Sequence, residues 1–268
     1  MPAELSTDDI KSVLNSMYEY GVHLGVDLKE SLPDVYKILI LPEQEYGSLV
    51  KRSEKYIPPD SNGYIRLGLE DIIVSDKLSR SKFQKLKTLT HELVHFASFR
   101  SYELGNRRAT TTFQAGFSGR NQDEFRILDE GFTELTCWYV IKRFWKNQPN
   151  LTKYVSDLDR HKLLVSYYRT VVLVDMIILK VARSLDMKYV DVLNQLQRLH
   201  ITNPPEGIKM IEGVIGSEAL CVIAKLPSEI DSGDYDDLFL KTVKSLPIGK
   251  EFSEINDGSG VYKFWDRF

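Results

Sequence analysis

Residues 90–96 read T-H-E-L-V-H-F and contain the pattern H-E-x-x-H. In a helix, His91 and His95 lie one turn apart on the same face, so both imidazoles can reach one metal ion. Glu92 projects about 100° further round the axis, where its carboxylate can accept a proton from a water at the metal. Two neutral nitrogen ligands, a carboxylate base and an open coordination position are what zinc-dependent hydrolysis requires. The pattern therefore predicts a Zn²⁺ site that needs a third protein ligand.

The third ligand must come from elsewhere in the chain, which has only five histidines. One zinc family continues the motif as x-x-G-x-x-H, but Ser98 and Ser101 stand at those positions here, so that arrangement fails. A carboxylate from another helix is the remaining common solution. Residues 128–134 read L-D-E-G-F-T-E on the next predicted helix, and they make Glu130 the candidate.

This segment resembles the third-ligand motif of the gluzincin metallopeptidases. The aminopeptidase N branch has L-N-E-G-F-A after H-E-x-x-H, and thermolysin-like members have N-E-x-x-S-D. The resemblance implies that Glu130 binds the zinc and that Glu134, one turn later on the same face, orients a histidine ligand. Asp129 stands where these families usually have asparagine, and the spacing between the two motifs is longer than in either branch. The rival assignment places Glu134 on the metal.

Gluzincins also stabilise the oxyanion with a tyrosine or histidine from a later segment. The resemblance makes Tyr167 the candidate, because it falls on the apolar stripe of the helix predicted after the zinc ligands. His161 and His200 are alternatives for the same role, although each is expected to lie on a helix surface. The aminopeptidase motif G-x-M-E-N is absent upstream, so an aminopeptidase assignment is not supported.

Composition limits the other possibilities. The chain has 268 residues, of which 43% are hydrophobic, and this is ample for a core. The net charge of -3 and the pI near 6.0 give no reason to expect nucleic acid or an anionic membrane as a partner. Cys137 and Cys221 lie in apolar surroundings, which predicts two buried thiols and suits a reducing compartment. Without a signal-peptide pattern or an apolar run of about 18 residues, we expect a soluble, cytoplasmic protein.

The order of the predicted elements, strands first and helices afterwards, indicates an α+β fold. Ser6 begins a first helix that ends at about residue 20, and residues 35–41 form a strand that is expected to be central. Residues 64–69 and 72–74 form one bent strand or two. A strand beside the zinc helix could bind an extended peptide by main-chain pairing, although an ordinary sheet strand is the simpler interpretation.

The motif helix begins after Ser79 or Ser81 and runs to about residue 99. Residues 101–122 are loop-like, which indicates a functional loop or a small hairpin. Further helices are predicted at about 123–145, 157–185 and 190–200, with shorter helical pieces at 207–225 and 235–245.

These elements predict two subdomains in one catalytic unit. Residues 1–122 form an α+β part in which a small mixed sheet packs on the zinc helix, and residues 123–268 form a mainly helical part with the glutamate helix. The zinc site is expected at their junction.

The leading interpretation is a zinc endopeptidase that hydrolyses peptide or protein substrates, with Glu92 as the general base. The same ligands would serve a zinc amidase acting on a non-peptide substrate, because the sequence indicates the metal chemistry better than the scissile bond. The third interpretation is a non-catalytic helical interaction module with a vestigial zinc site. Glu92 argues against it, because a purely structural site gains nothing from a base beside an open coordination position.

Overall fold

The computed structural model describes residues 4–52, 62–66, 71–77, 80–104, 110–118, 125–156, 168–226, 243 and 245–248. These residues form an α+β fold, as the sequence predicted: a small mixed sheet lies in the N-terminal part, and the C-terminal part is mainly helical. Contacts divide the chain into two compact units, each built from two segments: Met1–Ala97 with Thr136–Leu164, and Ser98–Leu135 with Val165–Phe268.

The first unit contains the mixed sheet. In chain order its elements are α1 (Thr7–Leu24), a 3₁₀ turn (Val35–Lys37), β1 (Ile38–Pro42), α2 (Glu43–Arg52), β2 (Gly63–Arg66), β3 (Asp71–Asp76) and α3 (Lys82–Ser98) up to Ala97. The unit continues with the second half of α4 (Arg126–Phe144), a 3₁₀ turn (Trp145–Asn147) and α5 (Thr152–Ser156).

The sheet has the strand order β1-β3-β2, with β1 parallel and β2 antiparallel to β3. The expectation of a central strand at residues 35–41 is wrong, because β1 lies at an edge of the sheet that the described strands form, and residues 35–37 form the 3₁₀ turn before it. Only the first residue of β1, Ile38, is buried, whereas β3 has four consecutive buried residues. A short aliphatic run does not by itself distinguish an edge strand from a central one. The two runs after residue 62 form two strands, β2 and β3, rather than one bent strand.

The two faces of the sheet are covered differently. Ile73 points towards α2 and belongs to an apolar cluster that also contains Tyr46, Val50, Leu39, Leu41, Leu49 and Tyr64. On the opposite face, Gly63 pairs with the completely buried Val74. The backbone of Gly63 lies against the side chain of Thr88, so α3 packs on this face of the sheet.

Local hydrogen bonds set where α3 begins. The backbone N–H of Gln84 donates to the Ser81 hydroxyl over 3.2 Å, and the N–H of Ser81 donates to the Gln84 side chain over 2.8 Å. This reciprocal pair is a capping box, so Ser81, one of the two predicted candidates, caps α3. Ser79, the other candidate, lies outside the described residues.

Helix α1 has the same kind of cap but a later end than expected. Ser6 and Asp9 form its capping box. Gly21 does not stop the helix, which continues to Leu24 and ends at Gly25 in a left-handed conformation with φ of 68°. The predicted end near residue 20 is one turn too early, because glycine weakens a helix without forbidding it.

Within the first unit, side-chain contacts hold the first turn of α3. The ring of Phe83 lies 6.0 Å from that of Trp138 and 5.9 Å from that of Trp145, measured between ring centroids. Lys85 is completely buried and pairs with Asp76 at the end of β3. These contacts fix the helix that carries the H-E-x-x-H motif.

The second unit begins with an antiparallel hairpin of β4 (Phe99–Leu104) and β5 (Thr110–Ala115), so the segment after the motif helix contains a hairpin. The first half of α4 follows. The later helices are α6 (Tyr168–Ser184), α7 (Tyr189–Thr202), α8 (Pro204–Ile215) and α9 (Ser217–Ala224). Pro204 occupies the first position of α8, where its missing N–H costs no hydrogen bond. The predicted piece at 235–245 lies mostly outside the described residues.

The two cysteines differ in exposure. Cys137 is completely buried, as predicted, but Cys221 is exposed, so the expectation of two buried thiols is wrong. The reason is that α9 buries one face, formed by Ala219, Leu220, Ile223 and Ala224, and Cys221 lies off that face. In the described part of the chain, no helix has the length and apolar character needed to span a membrane.

Candidate metal-binding site

Two histidines and one glutamate come together in the structure. His91, His95 and Glu130 each offer one ligand atom, and these atoms all lie within 4.8 Å of one another. Imidazole nitrogens combined with a carboxylate oxygen form a donor set that suits a first-row divalent cation. The group can therefore hold a metal ion.

Helix geometry places the two histidines. They are four residues apart inside α3, and their ring centroids lie 4.8 Å apart with an interplanar angle of 75°. The helix is anchored by Leu89 and Leu93, both completely buried. Because this apolar stripe fixes the rotation of the helix, it also fixes the direction of the two imidazoles.

Glu92 lies beside the sheet. Its side chain is 9% exposed and borders the backbone of β2: a β-carbon added to Gly63 would lie 2.8 Å from Cγ of Glu92 and 2.9 Å from its Oε1. The Glu92 carboxylate, next in sequence to His91, is thus held against the end strand of the described sheet.

Glu130 lies on the second turn of α4 between two tightly packed residues. Before it, Asp129 is buried and bonded to its surroundings. After it, a β-carbon on Gly131 would lie 2.7 Å from the backbone oxygen of Thr170 and 2.7 Å from Cγ2 of Val174. Arg126, one turn earlier, places its Nε 3.9 Å from Oε1 of Glu130.

His200 lies in the interior of the second unit, next to Asp129. It is 1% exposed, and its Nε2 lies 2.7 Å from Oδ1 of Asp129. The expectation that His200 lies on a helix surface is wrong. The signal was present in the sequence, because Leu193, Leu196 and Gln197, all completely buried, precede it at helical spacing on the buried face of α7.

The other candidates are placed as follows. Glu134 is completely buried one turn after Glu130, and the ligand group found among the described residues contains Glu130 and not Glu134. Tyr167 and His161 lie outside the described residues.

Comparison with known proteins finds no matching family model, no matching curated protein and no matching solved structure. The candidate site is accordingly defined by the residues of this chain and their geometry alone.

Proposed function

We propose that the protein is a zinc metallopeptidase of the gluzincin type that acts as an endopeptidase. The observation that carries this proposal is the grouping of His91, His95 and Glu130, with the buried acid Glu92 next to one of these ligands. Two imidazoles and one carboxylate leave a coordination position open, which is typical of catalytic rather than structural zinc sites.

Glu92 has the role of general base. Zinc at this site would supply a water of lowered pKa and would polarise the scissile carbonyl. Glu92 accepts the proton of the attacking water and passes it to the leaving amine. Packing against β2 favours this role, because a carboxylate held in one place does not have to be ordered during the reaction.

Strand β2 is proposed to bind the substrate. In the described sheet it is an end strand, and its residue Gly63 borders Glu92. An extended peptide that pairs with β2 through main-chain hydrogen bonds would carry its peptide bonds past the base. This mode of binding suits a peptide more than a small amide, and it supports the choice of an endopeptidase.

Two further residues complete the proposed site. Glu134 is proposed to orient a histidine ligand, and its complete burial favours a partnered role over a solvated one. Tyr167 is proposed to donate to the oxyanion; it directly precedes α6, which begins at Tyr168. We place the protein in the cytoplasm, because two free cysteines suit a reducing compartment.

Metal analysis and one substitution test the proposal together. The purified protein should contain about one zinc per chain, as one set of three protein ligands requires. Alanine at His91 or Glu130 should remove the metal. Glu92→Gln should keep the metal and abolish cleavage of a proteome-derived peptide library, whereas Glu45→Gln, an exposed position on α2, should change neither.

Each contrary result has a distinct meaning. Cleavage that persists in Glu92→Gln would overturn the mechanism. Bound zinc without cleavage of any peptide by the unmodified protein would favour the non-catalytic module. Hydrolysis of small amides but not of peptides would favour the amidase.

A further inference from the structure

The residue before Glu130 is held by two bonds from other parts of the second unit. The Oδ1 atom of Asp129 accepts the backbone N–H of Phe117 over 3.0 Å and lies 2.7 Å from Nε2 of His200. A carboxylate only accepts hydrogen bonds, so the second bond requires the hydrogen on Nε2 of His200. Both side chains are almost completely buried, so these bonds are strong and neither partner can turn to water instead.

The packing around Asp129 and His200 allows their side chains only one arrangement. Gly116 has a positive φ of 49°, and a β-carbon there would lie 2.0 Å from Oδ1 of Asp129 and 2.1 Å from Nε2 of His200. The His200 ring packs against Phe117 and Phe132, with centroid distances of 4.8 and 6.1 Å. The backbone of the turn therefore closes over the pair on one side, and aromatic rings enclose the imidazole.

A second contact fixes the same turn of α4 from another direction. Gly131 has no room for a side chain, because its backbone is pressed against Thr170 and Val174 of α6. Consecutive residues of a helix are rotated by about 100°, so Asp129 and Gly131 face different directions with Glu130 between them. Anchoring both neighbours prevents this turn from rotating about the helix axis, and so it fixes the direction in which Glu130 leaves the helix.

We propose that Asp129 and His200 are positioning residues for the metal site. They are not assigned to the metal or to the substrate, and they act by holding the turn that carries Glu130. The inference rests on the metal-binding role of Glu130 in the proposed function.

The competing explanation is that the pair only stabilises the second unit. Both explanations predict a lower resistance to urea when the pair is broken, but only positioning predicts weaker metal binding by protein that is still folded. The decisive quantity is therefore the zinc affinity of the folded chain, measured by competition with a chelator, beside the urea stability of the metal-free chain.

Three variants break or keep the pair. Asp129→Ala removes both bonds, and His200→Phe keeps a ring but removes the Nε2 donor. Asp129→Asn keeps an acceptor oxygen for both donors, so it should retain zinc affinity. The matched control is Tyr189→Phe, which removes the hydrogen bond from the Tyr189 hydroxyl to the completely buried Asp175 in the same unit.

We expect Asp129→Ala and His200→Phe to weaken zinc binding about 10- to 100-fold, as is usual when a residue that orients a ligand is lost. Asp129→Asn should stay within about threefold of the unmodified protein, because it keeps both hydrogen bonds. Tyr189→Phe should lower the urea midpoint and leave zinc affinity unchanged. If either pair-breaking variant fails to fold, comparing the zinc affinity of Asp129→Asn with that of the other variant still distinguishes positioning from a purely stabilising role.

The absorption spectrum of the cobalt-substituted protein gives a second reading of ligand geometry, and it should change in the pair-breaking variants only. Unchanged zinc affinity in folded Asp129→Ala and His200→Phe would overturn the positioning role. So would a loss in Tyr189→Phe as large as theirs. If the unmodified chain binds no zinc, or if Glu130→Ala binds it normally, the proposed function itself fails. That outcome can be told apart from a failure of the positioning role, which leaves the zinc affinity of the unmodified chain intact.

Discussion

The backbone of Gly63 and the side chain of Glu92 lie in direct contact. A β-carbon on residue 63 would approach Cγ of Glu92 to 2.8 Å, a distance that real β-carbons do not reach. The same β-carbon would lie 2.9 Å from Cγ2 of Thr88, so a shift along α3 would not relieve the clash with Glu92. Glycine at this position therefore lets β2 come close enough to α3 for main chain to border the proposed general base.

Replacing Gly63 with alanine should impair catalysis while sparing the metal. The new methyl group pushes the Glu92 carboxylate away, and a displacement of about 1 Å in a reacting group can reduce the rate about 100-fold. Bound zinc should stay at the level of the unmodified protein, because His91, His95 and Glu130 are untouched. The measurements are peptide cleavage rate and metal content on the same preparation.

Gly47→Ala provides the matched control. Gly47 lies inside α2 of the same unit, with no atom within 4 Å of an added β-carbon. Alanine there should leave activity unchanged and raise helix stability by about 0.5–1 kcal/mol. Full cleavage activity in Gly63→Ala would mean that Glu92 does not act from the position it has here.

The features that the sequence predicted correctly are those that depend on local interactions. The motif helix was predicted, and the Ser81 cap and the hairpin after the helix were each one of two alternatives that the sequence left open. The spacing of His91 and His95 needed only helix geometry. Grouping Glu130 with them required a resemblance to known motifs, because no local rule relates a residue of α3 to one of α4.

The failures at His200 and β1 involve partners that are distant in sequence. His200 and Asp129 are 71 positions apart, and no pattern within either segment shows that they meet. The edge position of β1 depends on which strand enters the sheet beside β3. The importance of Gly63 was invisible for the same reason, since a glycine after an asparagine in a polar stretch has the appearance of an ordinary turn residue.

Gly116 offers a test of the crowded turn beside Asp129 and His200. Alanine at this position combines a strained positive φ with a β-carbon about 2 Å from two buried polar atoms. We expect the free energy of unfolding to fall by about 2–4 kcal/mol, from backbone strain plus overpacking. Gly25→Ala has the same kind of backbone strain with open space around it, and should cost only about 1 kcal/mol. Equal losses in urea unfolding would show that the turn can open without penalty.

The two thiols should react at different rates with a water-soluble disulfide reagent. Cys221 is exposed on α9, whereas Cys137 is completely buried and lies 3.5 Å from the backbone oxygen of Lys87. We expect one thiol per folded chain to react quickly and the second to react only after unfolding. Cys221→Ser should remove the fast reaction, and Cys137→Ser should leave it in place. Two fast thiols in folded protein would contradict the burial of Cys137.

The start of α1 should lose stability in acid through Asp9. Burial alone would raise the pKa of this carboxyl, but hydrogen bonds from Lys82 and Ser6 outweigh burial and hold the pKa below its ordinary value of 3.8. The Lys82 Nζ lies 2.5 Å from the carboxylate, and the Ser6 N–H donates to it over 2.8 Å. A pKa that is lower in the folded state means that the ionised form stabilises the fold. This contribution is complete above about pH 4 and is lost as the pH falls through the folded-state pKa.

Asp9→Asn should therefore lower the free energy of unfolding at pH 7, and should lower it by progressively less below pH 4. Urea unfolding of the metal-free chain at pH 7, 5, 4 and 3 measures this, since chelation removes the separate effect of pH on metal binding. Asp8→Asn is the control: Asp8 is exposed in the same first turn, so its substitution removes only a weak interaction with the helix dipole. If the deficit of Asp9→Asn stayed constant down to pH 3, the carboxylate would not be stabilised by Lys82 in the folded state, and the cap would contribute through hydrogen bonding alone.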